Sequence, residues 1–159
     1  MNSRIQEIPV NLRNMDHDDL AQVSDIERLS YDFPWSHGVF RDCLLAGYSC
    51  MVLEHGSAVV GYGILSIAAG EAHILNLCVN SEFRGLGYGD RILDNIIERA
   101  QYAEVSAIFL EVRPTNSHAL SLYRKKGFHK IAKRPAYYQA TSGREDADVL
   151  SLNLGRSGE

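Results

Sequence analysis

The chain reads as a mixed α/β protein built on a mostly antiparallel sheet of about seven strands, with helices on both faces. Three observations predict that class. Two segments with apolar residues at helical spacing precede three consecutive strand-like segments joined by short turns, the order of an antiparallel meander. A strand, a long amphipathic helix and an apolar strand follow one another around 73–113, which implies a right-handed crossover between parallel neighbours. The 159 residues, 45% of them hydrophobic, suffice for one core and are too few for two ordinary domains, so residues 1–159 are expected to form a single domain.

The elements follow in order. "VNLRNM" (10–15) is a first strand, and Asp16 behind it caps a helix carrying Leu20, Val23, Ile26 and Leu29 on one face. "FPWS" (33–36) interrupts, Ser36 caps a second helix with Val39, Phe40, Cys43 and Leu44 on its apolar side, and Gly47 ends it. "SCMVLEH", "AVVGYGILSIA" and "AHILNLCVN" are the three meander strands. Ile92, Leu93, Ile96, Ile97 and Ala100 then mark a long helix, and "AIFLEVR" (107–113) an apolar strand. A short helix over 116–127 starts at Asn116 and stops at Gly127, followed by the strands "FHKIAKR" and "DADVLSLNL" with "SGREDA" (142–147) as a loop between them.

Twenty acidic against sixteen basic side chains leave a formal charge of −4, without the excess of Lys and Arg on which phosphate-held nucleic acid depends. No direct nucleic-acid binding is expected. A mildly acidic surface suits a basic peptide partner and equally serves solubility. Cys43, Cys50 and Cys78 are odd in number and unevenly spaced in apolar surroundings, which fits reduced, buried thiols. The six histidines lack metal-ligand spacing, so no metal is expected. Residues 1–15 have no secretory apolar run and no stretch of about 18 apolar residues occurs, so a cytoplasmic protein with no membrane partner is expected.

The segment "VNSEFRGLGYGDRIL" (79–93) places three glycines at alternate positions directly before the long helix. Unbonded amides crowd a helix start, and glycines let a ligand approach them without Cβ atoms in the way, so the stretch is shaped for a phosphate. Neither nucleotide fingerprint fits. G-x-x-x-x-G-K-[ST] is absent, and in G-x-G-x-x-G the third glycine would come one residue later than Gly89. A glycine loop that only turns the chain is the plain alternative.

As Arg84-x-x-Gly87-x-Gly89 between a strand and an amphipathic helix, the segment resembles the acyl-CoA pyrophosphate loop of the GNAT N-acetyltransferases. "FPWS", "EAHILNLCVN", "FLEVRPTNSHALSLYRKKGF" and "YYQATSGREDA" extend the resemblance over about 33–152, toward the branch that acetylates the N-terminal alanine of ribosomal proteins. Gly85 stands where that branch often has a second basic residue, and Pro114 where a small residue is frequent. The resemblance implies the acetyltransferase fold, acetyl-CoA as co-substrate and the N-terminal peptide of a protein, a ribosomal one, as partner. Its cofactor contacts would fall on Leu77, Cys78 and Val79 at the strand end, on Arg84, Gly85, Leu86, Gly87, Tyr88, Gly89 and Asp90 in the loop, and on Asn116.

Glu111 lies among apolar neighbours in a strand expected to be central, where desolvation raises a carboxyl pKa toward that of an effective base. The resemblance assigns it that role; the plain alternative is an ion pair with Arg113, two residues on. Tyr123 is a core aromatic by spacing and, by resemblance, the proton donor to the coenzyme A thiolate. Phe33 and Trp35 with Tyr137 and Tyr138 resemble two lips of a peptide groove, with apolar packing and edge-strand packing as alternatives. A thioester on Cys78 is a rival mechanism, but no neighbouring His or Lys in the sequence activates that thiol, which favours direct transfer. A lysine or small-amine acetyltransferase and a non-catalytic acyl-CoA sensor are the alternative functions.

Overall fold

The computed structural model describes residues 8–141 and 143–155. In chain order its elements are β1 (Val10–Asn14), α1 (Leu20–Ser30), α2 (His37–Leu45), β2 (Ser49–His55), β3 (Ala58–Ala68), β4 (Glu71–Val79), α3 (Tyr88–Tyr102), β5 (Ala107–Val112), α4 (Ser117–Lys125), β6 (His129–Ala140) and β7 (Gly143–Asn153). The strands form one sheet in the order β1-β2-β3-β4-β5-β7-β6. β1 and β2, β5 and β7, and β6 and β7 run antiparallel, and β4 and β5 run parallel. Two-residue turns at 56–57 and 69–70 join β2 to β3 and β3 to β4, and so short a turn connects only antiparallel neighbours. The mixed, mostly antiparallel sheet expected from the sequence is therefore present.

Contacts divide the chain into two compact units, and the boundary crosses β3, β4 and α3. One unit runs to Ile64 and resumes over Asn76–Ile96. Its core joins Leu20, Val23 and Ile26 of α1 and Phe40 and Cys43 of α2 to Tyr62 and Cys78 of the sheet. β3 carries Gly61 where α3 comes close: a Cβ there would lie 2.9 Å from Ile92 Cδ1 and 3.1 Å from the Cys78 carbonyl oxygen. The second unit comprises Leu65–Leu75 and the chain from Ile97 onward. Alternation along β5 buries Ile108, Leu110 and Val112, which share a sheet face with buried Leu150 of β7, and leaves Ala107, Phe109 and Glu111 on the other face.

Two sequence expectations change. Asp16 caps a 3-10 turn over His17–Asp19, and α1 proper starts at Leu20. The buried stripe of α1 then continues through Glu27, 3% exposed, while Leu29 is 78% exposed. Residues 143–147, expected as a loop, extend β7, and β6 runs on to Ala140 as its antiparallel partner; Ser142 lies outside the described residues. The polar composition of that hairpin hides it from a pattern search, because β6 is an edge strand with almost every side chain exposed. Among the described residues no helix is long and apolar enough to cross a membrane.

Replacing Gly61 with alanine should force Ile92 or the β4 backbone aside and lower stability by about 1–3 kcal/mol in denaturant unfolding. An unchanged midpoint would mean that α3 moves off β3 without penalty.

Candidate active site

Each unit carries its own group of site residues. In the first, β4 ends in Asn80, whose side chain accepts a hydrogen bond from the Glu82 amide at 2.9 Å and starts a 3-10 turn over Ser81–Phe83. Arg84 follows, exposed, and then Gly85 and Gly87 at φ 80° and 81°. Neither glycine is there for lack of room, since a Cβ at either would meet nothing within 4 Å. Both are in the left-handed region that disfavours other residues, and the space above them is open to a ligand. α3 starts at Tyr88, and the amide of Arg91 donates to the Gly87 carbonyl at 3.1 Å, so the amides before it precede the helical ladder. The Tyr88 ring is not part of this surface: it packs on Phe83 and His55, leaving only its backbone to a ligand.

The strand leading into the loop is also available. Parallel pairing of β4 with β5 covers Glu71–Ile74 against Ala107–Leu110 and goes no further, so Leu77, Cys78 and Val79 continue β4 without that partner. The Cys78 side chain is 4% exposed and packs in the core, which gives an acyl-carrying thiol no access.

Beneath this strand lies a carboxylate that sequence reasoning missed. Glu27 Oε1 accepts from the Tyr62 hydroxyl at 2.7 Å and from Asn76 Nδ2 at 2.9 Å, and Oε2 accepts from the Trp35 amide at 2.9 Å. Burial of a charge is tolerable when its lone pairs are satisfied in this way. The hub ties the 33–36 turn to β3 and β4. Trp35 is half-buried with its ring 5.2 Å from Phe40, so its packing reading holds in part, whereas Phe33 is exposed. Glutamate at a position where the apolar stripe of α1 should continue was the available signal.

In the second unit Glu111 is 11% exposed at its side chain and does not pair with Arg113. His73 on β4 sits opposite Phe109, so Glu111, two residues further along β5, shares its face. His73 Nε2 lies 2.6 Å from Glu111 Oε1, and Arg134 Nη1 lies 3.5 Å from Oε2. The expected upward shift is corrected. The His73 hydrogen bond outweighs desolvation and, with the nearby Arg134 charge, holds the Glu111 carboxyl below its ordinary range.

Arg113 instead donates to Glu145 Oε1 at 2.9 Å, and Glu145 also accepts from the Thr115 hydroxyl at 2.8 Å. The Arg113 guanidinium stands 4.4 Å over the Tyr138 ring, and Arg134 stands 4.4 Å over Tyr137. The two tyrosines meet edge to face at 4.8 Å. Each tyrosine ring is thus covered by a cation that a carboxylate holds in turn. Burial pushes the Tyr138 phenol up, with the charges of Tyr137 and Glu111 adding to it. Tyr123, 7% exposed, packs 5.6 Å from Phe128, and Asn116 caps α4 by accepting from the Ala119 amide at 3.2 Å. His73, Arg134 and Glu145 escaped the sequence reading because strand register, not local spacing, brings them to Glu111 and Arg113. Among the described residues no three His, Cys, Asp or Glu side chains gather to hold a metal.

A family model described as "Acetyltransferase (GNAT) family" matches residues 20–128. The chain is 29% identical over 143 residues to the [Ribosomal protein bS18]-alanine N-acetyltransferase of Escherichia coli, covering 90% of this chain and 97% of that protein. It is 32% identical over 147 residues to a putative enzyme of the same name from Bacillus subtilis, covering 90% and 95%. The crystal structure of the Escherichia coli ribosomal-protein-S18-alanine N-acetyltransferase superposes with a TM-score of 0.88 at 28% identity, covering 95% of this chain and 97% of that one.

Two measurements check the carboxylates. Glu27→Gln would turn an amide NH2 toward the Trp35 amide or toward its two side-chain donors, and should cost about 1–3 kcal/mol in urea unfolding. Because the folded Glu111 carboxyl lies below its unfolded value, its contacts stabilise the protein fully above the ordinary glutamate range and lose that effect as pH falls through it. The stability difference between wild type and Glu111→Gln should therefore be constant above about pH 6 and shrink toward about pH 3. A difference that grows on acidification would contradict the lowered value.

Proposed function

The chain belongs to the GNAT acetyltransferase family, and from that membership we infer that it transfers acetyl from acetyl-CoA to the α-amine of a protein N-terminus, the alanine of ribosomal protein bS18. The observation that carries the acyl-CoA half is the left-handed pair Gly85 and Gly87 opening onto the first amides of α3. Those amides, with the exposed Arg84, fit a diphosphate by both dipole and charge. Leu77, Cys78 and Val79, free of β5, offer strand amides to a pantetheine arm, and Asn116 lies at the head of α4 for a further contact. Bound acetyl-CoA supplies the thioester; the rest is done by the chain's own groups.

Glu111 serves removal of a proton from the incoming amine, which then attacks the thioester carbonyl directly, with a β4 amide holding the oxyanion. Tyr123 returns a proton to the sulfur. The family resemblance assigns contacts with the first residues of the peptide to Tyr137 and Tyr138, which Arg134 and Arg113 cover, and to Phe33 and Trp35. An α-amine at about 7.7–8.0 gives up its proton more readily than a lysine at about 10.4, so modest base strength suffices for the N-terminal substrate.

The test is mass spectrometry of peptides that begin with the bS18 N-terminal sequence, incubated with acetyl-CoA and carrying either a blocked N-terminus or blocked lysines. One acetyl on the free α-amine and none on the N-blocked peptide is expected; acetylation of lysine alone would refute the assignment. In the same assay Glu111→Gln and Tyr123→Phe should each bind acetyl-CoA as wild type does while kcat falls by about 10²-fold or more.

A further inference from the structure

Glu111 is the wrong shape of base for a proton arriving from solvent. Its side chain is 11% exposed, and both oxygens face other groups, Oε1 the His73 ring and Oε2 the Arg134 guanidinium. An incoming ammonium meets those flanking side chains first. Arg134 carries donors only and keeps its proton, so it accepts none. His73 differs. An ionised carboxylate only accepts hydrogen bonds, so the hydrogen between the two groups belongs to Nε2, and the neutral ring keeps its lone pair on Nδ1. The His73 side chain is 38% exposed, and among the described residues nothing pairs with Nδ1.

We propose that His73 is the group that takes the proton from the substrate's α-ammonium, with Glu111 as the carboxylate that orients it and stabilises the imidazolium. This rests on the α-amine acetyltransferase reading and deepens it. The logic is that of any imidazole backed by a carboxylate: one ring nitrogen is anchored, which fixes the tautomer, and the other works. The charged groups placed around the ring are Glu111 from β5, which bonds it, Arg134 from β6 behind the same carboxylate, and Glu71, two residues earlier on the same face of β4. The His73 hydrogen bond and, after it, the Arg134 charge hold the Glu111 carboxyl low, so the carboxylate supports His73.

The step balances. An N–H bond of the ammonium breaks, its proton goes to Nδ1, and the freed amine lone pair forms the C–N bond at the thioester carbonyl. The C–S bond then breaks with its electron pair on sulfur. The second nitrogen proton is lost as the amide forms, and by way of the Tyr123 hydroxyl it ends on the thiolate. His73 releases the first proton to water, one per turnover.

His73→Gln separates the roles, because a side-chain amide still donates to Glu111 but has no nitrogen that accepts a proton. With an N-terminal alanine peptide, its affinity for acetyl-CoA and its KM for peptide should stay near wild type, kcat should fall about 10²-fold, and the acid limb of the pH profile should disappear. His73→Ala should recover part of its activity on addition of imidazole, a gain that a structural role would not produce. Near wild-type kcat in His73→Gln, or His73→Ala that imidazole leaves unimproved, would overturn the assignment and return proton removal to Glu111. Wild-type enzyme that leaves the free α-amine untouched would instead sink the functional reading itself, which keeps the two failures apart.

Discussion

The start of α3 is the constraint on which the arrangement turns. Two left-handed glycines, Gly85 and Gly87, bring the chain out of β4 and into a helix, with open space where their side chains would be. A side chain at either position would meet no neighbour, yet the backbone angle alone would oppose it. The loop is therefore fixed by conformation and left open by design of the sequence, the combination a diphosphate needs. Tyr88, buried against Phe83 and His55, anchors the first turn of the helix so that its amides stay where the glycines leave them.

Three carboxylates with little exposure, Asp19, Glu27 and Glu111, organise much of the remainder. Asp19 is clasped by both terminal nitrogens of Arg13 at 2.8 Å, which holds its carboxyl below the ordinary range. Glu27 joins the 33–36 turn to β3 and β4 through three donors. Glu111 stands between His73 and Arg134. An unpaired charge at such depth would be strongly destabilising, so these groups define single arrangements of the segments they connect. Arginine does the matching work beside Tyr138, where a planar cation both stacks on the ring and reaches a carboxylate.

Local pattern was enough for most of the fold. The apolar stripes of α2 and α3, the meander and the glycine loop all carry periods or turn residues that a single sequence displays. The loop, Asn116 as a cap and Glu111 as a carboxylate in an apolar strand were legible for the same reason. What failed depends on register or on edge exposure. Leu29 falls on the apolar face of α1 by spacing, and spacing alone does not reveal that the helix buries Glu27 instead. The outer part of the β6–β7 hairpin, including residues 143–147, reads as a loop because an exposed edge strand has no apolar face to announce it. The partners of Glu111 lie 38 residues earlier and 23 residues later in the chain, beyond the reach of any short motif. Its pKa shift runs opposite to the sequence expectation for that reason, since burial is visible in the sequence and the imidazole beside it is not.

The claim most exposed to test is that α3 receives the diphosphate on its first backbone amides. Titration of 15N-labelled protein with coenzyme A, followed by amide resonances, reads those groups individually. The account predicts that the amides of Leu86, Gly87, Tyr88 and Gly89 move most, and move downfield as they take up phosphate oxygens. Coenzyme A that binds while those four resonances stay in place would contradict it.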